Sequence, residues 1–320
     1  MSRFSQLVRS HQSFLDKRGK RFLALLFLLS PFSFLLSPVL ATDYPFTLTD
    51  ELGRTVTIEA EPKRIISMLP SHTETICALG LCDKLVGVDD FSNYPEEVNA
   101  LPKLGGGLMG YDGGPDVEAI VALEPDLVLV SEYGELAMLL EQAGITVYGG
   151  SPQTYEDTFT FFDILGQLTN REIEAALLTE NVQKEVDGIA ALVSSTEAVS
   201  VYYEIDTTPY SVGPNSFIGV LLSKAGGQTI VTAEQGDFPQ LDPEFIISSN
   251  PEAIILSDAP SGESIETLQA RPGWEGLQAI TNNKVFAMTD EQNDVANRPG
   301  PRLAEVVRLF AQMLHPDLVD

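Results

Sequence analysis

The chain has 320 residues, 44% of them hydrophobic, with 46 acidic against 19 basic side chains and a formal net charge of −27. Such a surface repels phosphate backbones and anionic lipid, which excludes nucleic acid and acidic membrane faces as partners. Two cysteines are too few for a disulfide framework, and three histidines are too few for a bare-ion site built from several imidazoles.

Residues 1–21 carry Arg3, Arg9, Lys17, Arg18, Lys20 and Arg21 against Asp16 alone. An apolar run from Phe22 follows and ends in Val39-Leu40-Ala41. A basic start, a leucine-rich core and small residues before a cut form a secretory signal peptide. The run is almost long enough for a membrane anchor, but Pro31 and Pro38 interrupt it. Residues 1–41 are therefore expected to be removed after Ala41, leaving a periplasmic protein. No cysteine stands at the cut to carry a lipid.

After an N-terminal extension, 42–63, strand-length apolar runs alternate with helical patterns. Arg64-Ile-Ile-Ser-Met-Leu69 reads as a buried strand. Ser71-His-Thr-Glu74 has the spacing of a capping box and starts a helix from His72 to Leu79 that stops at Gly80. His72 is expected in solvent at that helix start. Cys77 falls inside the helix and Cys82 beyond its end, and two free buried thiols are expected unless Gly80 breaks the helix. Next come Leu85–Val88, a helix around Pro115–Leu123, Leu127–Val130, a helix Leu136–Ala143 closed by Gly144, and Ile145–Tyr148. Strands that are apolar throughout, with helices between, indicate parallel sheet covered on both faces.

The segment Glu118 to Glu132 recurs as Glu244 to Asp258, with every step held at an offset of 126 residues. Glutamate, isoleucine, proline and serine are identical in the two copies, each a helix ending before proline and a strand running to Ser-acid. The repeat predicts two similar Rossmann-like α/β lobes with mainly parallel sheets, at 64–154 and 197–320. The connector, 155–196, lacks strand signals. Ile173, Ala176, Leu177, Leu178, Val182, Val186, Ile189 and Leu192 recur near helical spacing. They predict one long connecting helix of about 22 residues, roughly 33 Å at 1.5 Å per residue, stiff enough to limit lobe closure.

These residues resemble the class III periplasmic substrate-binding proteins of ABC importers. Arg64-Ile-Ile-Ser-Met-Leu-Pro-Ser-His-Thr-Glu-Thr75 with Leu79-Gly80, Leu85-Val-Gly-Val88 and Tyr94-Pro95 is similar to the first βαβ unit of the cobalamin and ferric-siderophore branch. Pro115 to Val128 is similar to its second helix-strand unit, and Asn297-Arg-Pro-Gly-Pro-Arg302 to the opening of its last helix. The resemblance covers nearly all of residues 46–316. It implies a monomeric protein that binds a metal chelate, cobalamin or a related corrinoid first and a ferric siderophore or haem second, and hands it to an ABC permease dimer. It also implies that Glu118 and Glu244, one per lobe, dock onto arginine pockets of the two permease subunits. Both glutamates equally suit a helix first turn, where the dipole favours a carboxylate.

A large chelate belongs in the interlobe cleft at the strand ends. Phe91, Tyr111, Tyr133 and Phe238 match cleft-lining aromatics of the cobalamin-binding branch, which often has tryptophan at the last two positions. For any single ring, core packing is an equal reading; four rings in cleft loops favour a site. Tyr210, Asp290 and Asn293 are further ligand-binding candidates. Arg298 suits either an anionic ligand group or an ion pair, and Arg302 an ion pair.

Three other readings fit less well. A bare-ion binder would have only His72 and His315 left after cleavage. An enzyme would need a base-nucleophile or open-metal constellation, and no Gly-x-Ser-x-Gly, His-Glu-x-x-His or phosphate-binding glycine loop is present. A receptor without a transporter would have no use for matched glutamates. No cofactor and no resident metal are expected.

Overall fold

Short runs such as Ile-Ile-Ser and Leu-Val-Leu-Val have no polar face to turn to solvent, so they are stable only inside a sheet covered on both sides. The computed structural model describes residues 42–106, 114–131 and 134–319, and these form two such sheets. The chain opens with an antiparallel hairpin, β1 (Phe46–Thr49) and β2 (Thr55–Ile58). Asp50 ties its turn by accepting from the amides of Leu52 and Arg54, and it also accepts from the amide of Gly149. The extension thus docks onto the first lobe.

The first lobe runs β3 (Ile65–Ser67), α1 (Pro70–Ala78), β4 (Leu85–Val88), α2 (Val117–Ala122), β5 (Leu127–Val130), α3 (Glu135–Gln142) and β6 (Val147–Gly149). Its strands pair in parallel in the order β4-β3-β5-β6. Two helices follow, α4 (Tyr155–Thr169) and α5 (Glu172–Val193). The second lobe runs β7 (Val199–Glu204), α6 (Phe217–Lys224), β8 (Gly227–Thr229), α7 (Pro243–Ser249), β9 (Ala253–Leu256), α8 (Ile265–Gln269), α9 (Gln278–Thr281), β10 (Val285–Ala287), α10 (Asp290–Ala296) and α11 (Leu303–Leu314). Its parallel order is β8-β7-β9-β10, the same topology as the first sheet. In both, the chain reverses direction across the sheet between the first and third strands of the lobe, β3 and β5 or β7 and β9. The repeat maps onto this topology to the residue, since β5 and β9 begin and end 126 positions apart.

The connector holds the 22-residue helix expected, with α4 as a second helix ahead of it. A capping box between Thr154 and Asp157 starts α4, and Asn170 at φ 58° ends it. The buried face of α5 is Ala175, Val182, Val186, Ile189 and Val193, whereas Ile173, Leu177 and Leu192 lie exposed. The outer positions of the apolar pattern therefore miss the core. One hydrophobic core runs from Ile65 and Leu129 through Phe162, Leu165 and Val186 to Val201, Val307 and Phe310. The lobes share that core through α4, α5, α6 and α11, so the connector is a packed wall between them and no free rod.

Two local expectations fail. Helix α1 starts at Pro70 with Leu69 at its N-cap and no side-chain cap, so Ser71 and Glu74 make no capping box. Glu74 is instead buried and paired with distant arginines. Cys77 and Cys82 are not free thiols: they form a disulfide with Cα atoms 4.2 Å apart. The helix ends at Ala78, and Gly80 at φ +77° turns the chain back so that Cys82 reaches Cys77.

Candidate functional site: the interlobe cleft

The first lobe contributes to the cleft the turn that leaves β3. Leu69, Pro70 and Ser71 carry the chain from that strand into α1, and Ser131 ends the neighbouring β5. Phe91 stands on the loop after β4. Asp89 builds that loop by accepting from the amides of Phe91 at 2.8 Å and Ser92 at 3.1 Å. Burial raises the pKa of Asp89, and the Ser92 hydroxyl and these amides oppose the shift. Thr73 on α1 reaches Ser92 Oγ at 2.8 Å, which fixes the loop to the helix.

Phe238 lines the same cleft from the second lobe. Its loop is pinned by Gly213 N–H donating to Asp237 O at 2.8 Å and Ser211 N–H to Pro239 O at 3.0 Å. These two loop segments approach so closely that a Cβ on Gly213 would lie 2.1 Å from Gly236 O. Phe217 and Ile218, at the start of α6, add apolar surface, and Asn293, Asn297 and Arg298 add a polar edge. The cleft has a volume of about 540 Å³ and is lined by both rings, which are 53% and 59% exposed. Large apolar rings left that open, from two lobes in one cavity, have surface to offer a ligand.

Beside the cleft lies an ion cluster that the sequence pattern does not reveal. Glu74, on α1, accepts from Arg298 Nη1 at 3.0 Å and from Arg302 Nε and Nη2 at 2.9 and 2.7 Å. Arg298 also donates to Asn93 Oδ1 at 2.7 Å and Phe91 O at 3.1 Å, and pairs with Asp294 at 2.8 Å. Arg302 lies over the Tyr94 ring, 4.1 Å from its centroid. This clasp joins the lobes beside the cleft. Arg302 is thus in an ion pair, as expected, while Arg298 lines the cleft with both terminal nitrogens engaged by protein groups.

Of the other expected residues, Asn293 lines the cleft, and its Oδ1 accepts from Ser257 Oγ at 2.6 Å. Asp290 lines a separate hollow of about 320 Å³ with Asn93, Tyr94 and Arg302. Tyr210 is exposed and bridges to Asp206 and Gln240 on the loops that carry Phe238. Tyr111 and Tyr133 lie outside the described residues. Glu118 and Glu244 are both exposed, each at the second position of its helix, α2 or α7. Asp116 and Asp242 cap those helices two residues earlier. Phe91 and Phe238, expected from the family resemblance, both line the cleft. Phe217 and the segment Ser151 to Gln153 were missed, and nothing in their local pattern separates them from core or loop.

His72 is fully buried rather than solvated. Its ring stacks on Phe161 of α4 with centroids 4.6 Å apart, and among the described residues neither ring nitrogen makes a well-formed hydrogen bond. Burial pulls its pKa down to about 3, with the nearby Gly150 backbone only partly opposing. A neutral histidine in that place is core, and with His315 hydrogen-bonded to Gly226 O the two do not share a site.

A family model described as periplasmic binding protein matches residues 65–292. An uncharacterized ABC transporter substrate-binding lipoprotein of Bacillus subtilis is 32% identical, over 86% of this chain and 87% of its own length. A cobalamin-binding protein of Halobacterium salinarum is 30% identical, over 86% of this chain and 75% of its own. Among solved structures, a possible iron-binding (periplasmic solute-binding) protein of Staphylococcus epidermidis superposes with a TM-score of 0.70 at 26% identity, covering 80% of this chain and 100% of its own. Among the described residues, no helix is long and apolar enough to cross a membrane. The expected signal peptide lies outside the described residues.

Proposed function

The chain belongs to the periplasmic binding protein family, as a class III substrate-binding protein and not an enzyme, and from that premise we propose that it captures cobalamin or a close corrinoid for an ABC importer. The observation that carries this reading is the pair Phe91 and Phe238, open in one cleft from two lobes. A corrin presents broad apolar faces with amide edges. Two rings from two lobes can grip such faces, and Asn293 and Asn297 supply amide partners at the rim. Anionic chelates find less here, because the guanidinium on the cleft wall, Arg298, is held by Glu74 and Asp294. The cobalamin-binding relative in Halobacterium salinarum supports the same choice.

A ferric siderophore or haem is the second reading, favoured by the likeness to a possible iron-binding protein of Staphylococcus epidermidis. In either case the protein acts after export, as a monomer, and Glu118 and Glu244 carry it to the two permease subunits. Charge pairs of that kind set register and encounter rate more than affinity. Absorbance titration with cyanocobalamin, a ferric hydroxamate and haem tests the choice. Saturable one-to-one binding of cobalamin alone is expected; binding of haem or the hydroxamate in its place refutes the corrinoid assignment. Absorbance is the right readout because Trp274, the only tryptophan, is buried under Arg271 in the second lobe.

A further inference from the structure

The second lobe holds a group of carboxylates that the cleft does not use. Glu204 is the last residue of β7, and Asp258 follows Ser257 at the end of the adjacent strand β9. Between these two strands the chain reverses direction across the sheet, the place where open α/β sheets leave a crevice for ligands. Glu263 joins them from the turn beyond. One carboxylate oxygen from each of the three lies within 4.8 Å of the other two.

The donors around the group are unevenly shared. Arg271 grips Glu204 with both terminal nitrogens at 2.6 Å and reaches Glu263 at 3.1 Å. Tyr202 adds a hydroxyl to Glu204 at 2.8 Å, and Thr267 adds one to Glu263 at 2.6 Å. Asp258 has none of these donors. Its residue is 7% exposed, and among the described residues neither carboxylate oxygen has a hydrogen-bond partner. A buried carboxylate left without partners is costly, so some species must answer it. One guanidinium against three carboxylates leaves two negative charges, which a divalent cation would cancel.

We infer that Glu204, Asp258 and Glu263 form a site for a hard divalent cation, calcium foremost. All three donors are carboxylates, without the imidazole or thiolate that would draw zinc or copper. Each carboxylate oxygen has two lone pairs, so the Arg271 bonds do not exhaust Glu204 and Glu263. Three carboxylates fill part of the six to eight oxygens that calcium takes, and water supplies the rest. The role is structural. A cation at Asp258 fixes the turn after β9, and Ser257 passes that order to the cleft residue Asn293 through its 2.6 Å hydrogen bond. The expected affinity is that of extracellular calcium modules, about 10⁻⁴ to 10⁻³ M.

The test is calorimetric titration of the chelator-stripped protein with calcium chloride, with thermal melts alongside, on wild type, Asp258→Asn and Glu263→Gln. One saturable site and a higher melting temperature with calcium are expected in wild type. Asp258→Asn should weaken binding at least tenfold and melt above calcium-free wild type at pH 8. Glu263→Gln should weaken binding several-fold and gives an independent reading if the first variant folds poorly. Absence of a saturable site in wild type overturns the proposal. So does unchanged calcium binding in both variants, which would assign the ion to the exposed acids.

Discussion

Replacing Glu74 with alanine strands two buried guanidinium groups at the lobe junction. Glu74 accepts three charge-assisted hydrogen bonds, and its side chain is 2% exposed against 8% and 9% for Arg298 and Arg302. The two arginines do not lose equally. Arg298 keeps Asp294, Asn93 and the Phe91 carbonyl. Arg302 keeps only Glu305 at 3.9 Å and the face of Tyr94. Breaking one side of a buried pair costs about 3–5 kcal/mol, because the surviving charge stays desolvated. At about 2 °C per kcal/mol for a chain of this size, the melting temperature should fall by roughly 6–10 °C. Replacing Glu74 and Arg302 together by methionine should recover most of that loss, since matched apolar side chains carry no desolvation penalty. Thermal unfolding followed by circular dichroism at fixed pH and salt measures both. If Glu74→Ala melts within about 1 kcal/mol of wild type, or if the double variant loses the sum of its parts, the clasp does not join the lobes energetically.

Three further outcomes are expected. His72 has a folded pKa near 3 against an ordinary 6.5, so only the unfolded chain binds its proton between those values. Stability from this group is therefore complete above pH 6.5 and lost as pH falls toward 3, by roughly 2 kcal/mol at pH 5; His72→Phe should flatten the acid limb of a urea-denaturation series, and an unchanged acid slope contradicts the assignment. Phe91→Ala and Phe238→Ala should each weaken cobalamin binding at least tenfold, about 1.4 kcal/mol, while leaving the melting temperature nearly unchanged because both rings are exposed; a matching loss of stability would place the rings in the core instead. Glu118→Lys with Glu244→Lys should abolish uptake in cells with ligand affinity intact, and uptake at the wild-type rate would remove these residues from permease docking.

What could be read from the sequence divides along the range of the interaction involved. The strand β5 was legible to the residue, and β9 as its repeat, because a parallel strand buried on both faces needs an unbroken apolar run and proline marks its approach. The length of α5 was legible from the helical spacing of its apolar residues, and Val182, Val186 and Ile189 of its inward face with it, but the edges of that face were not. Neighbours α4 and α11 decide which side is covered, so Leu177 and Leu192 are left in solvent despite fitting the pattern. Ser71 and Glu74 show the limit most sharply. Their spacing satisfies a local rule, yet Glu74 is recruited by arginines 224 and 228 positions away. The same α1 buries His72 against Phe161, so the helix start is a lobe interface and not a solvent face. That placement bears on function. A core continuous through α4, α5 and α11, with an ion clasp beside the cleft, holds the lobes at two separated places. Wide hinge opening would have to break both, whereas small adjustments of the Phe91 and Phe238 loops break neither. Ligand entry should then depend on those loops, and Gly213 becomes the position to probe, because a methyl group there meets the Gly236 carbonyl at 2.1 Å and must shift the Phe238 loop.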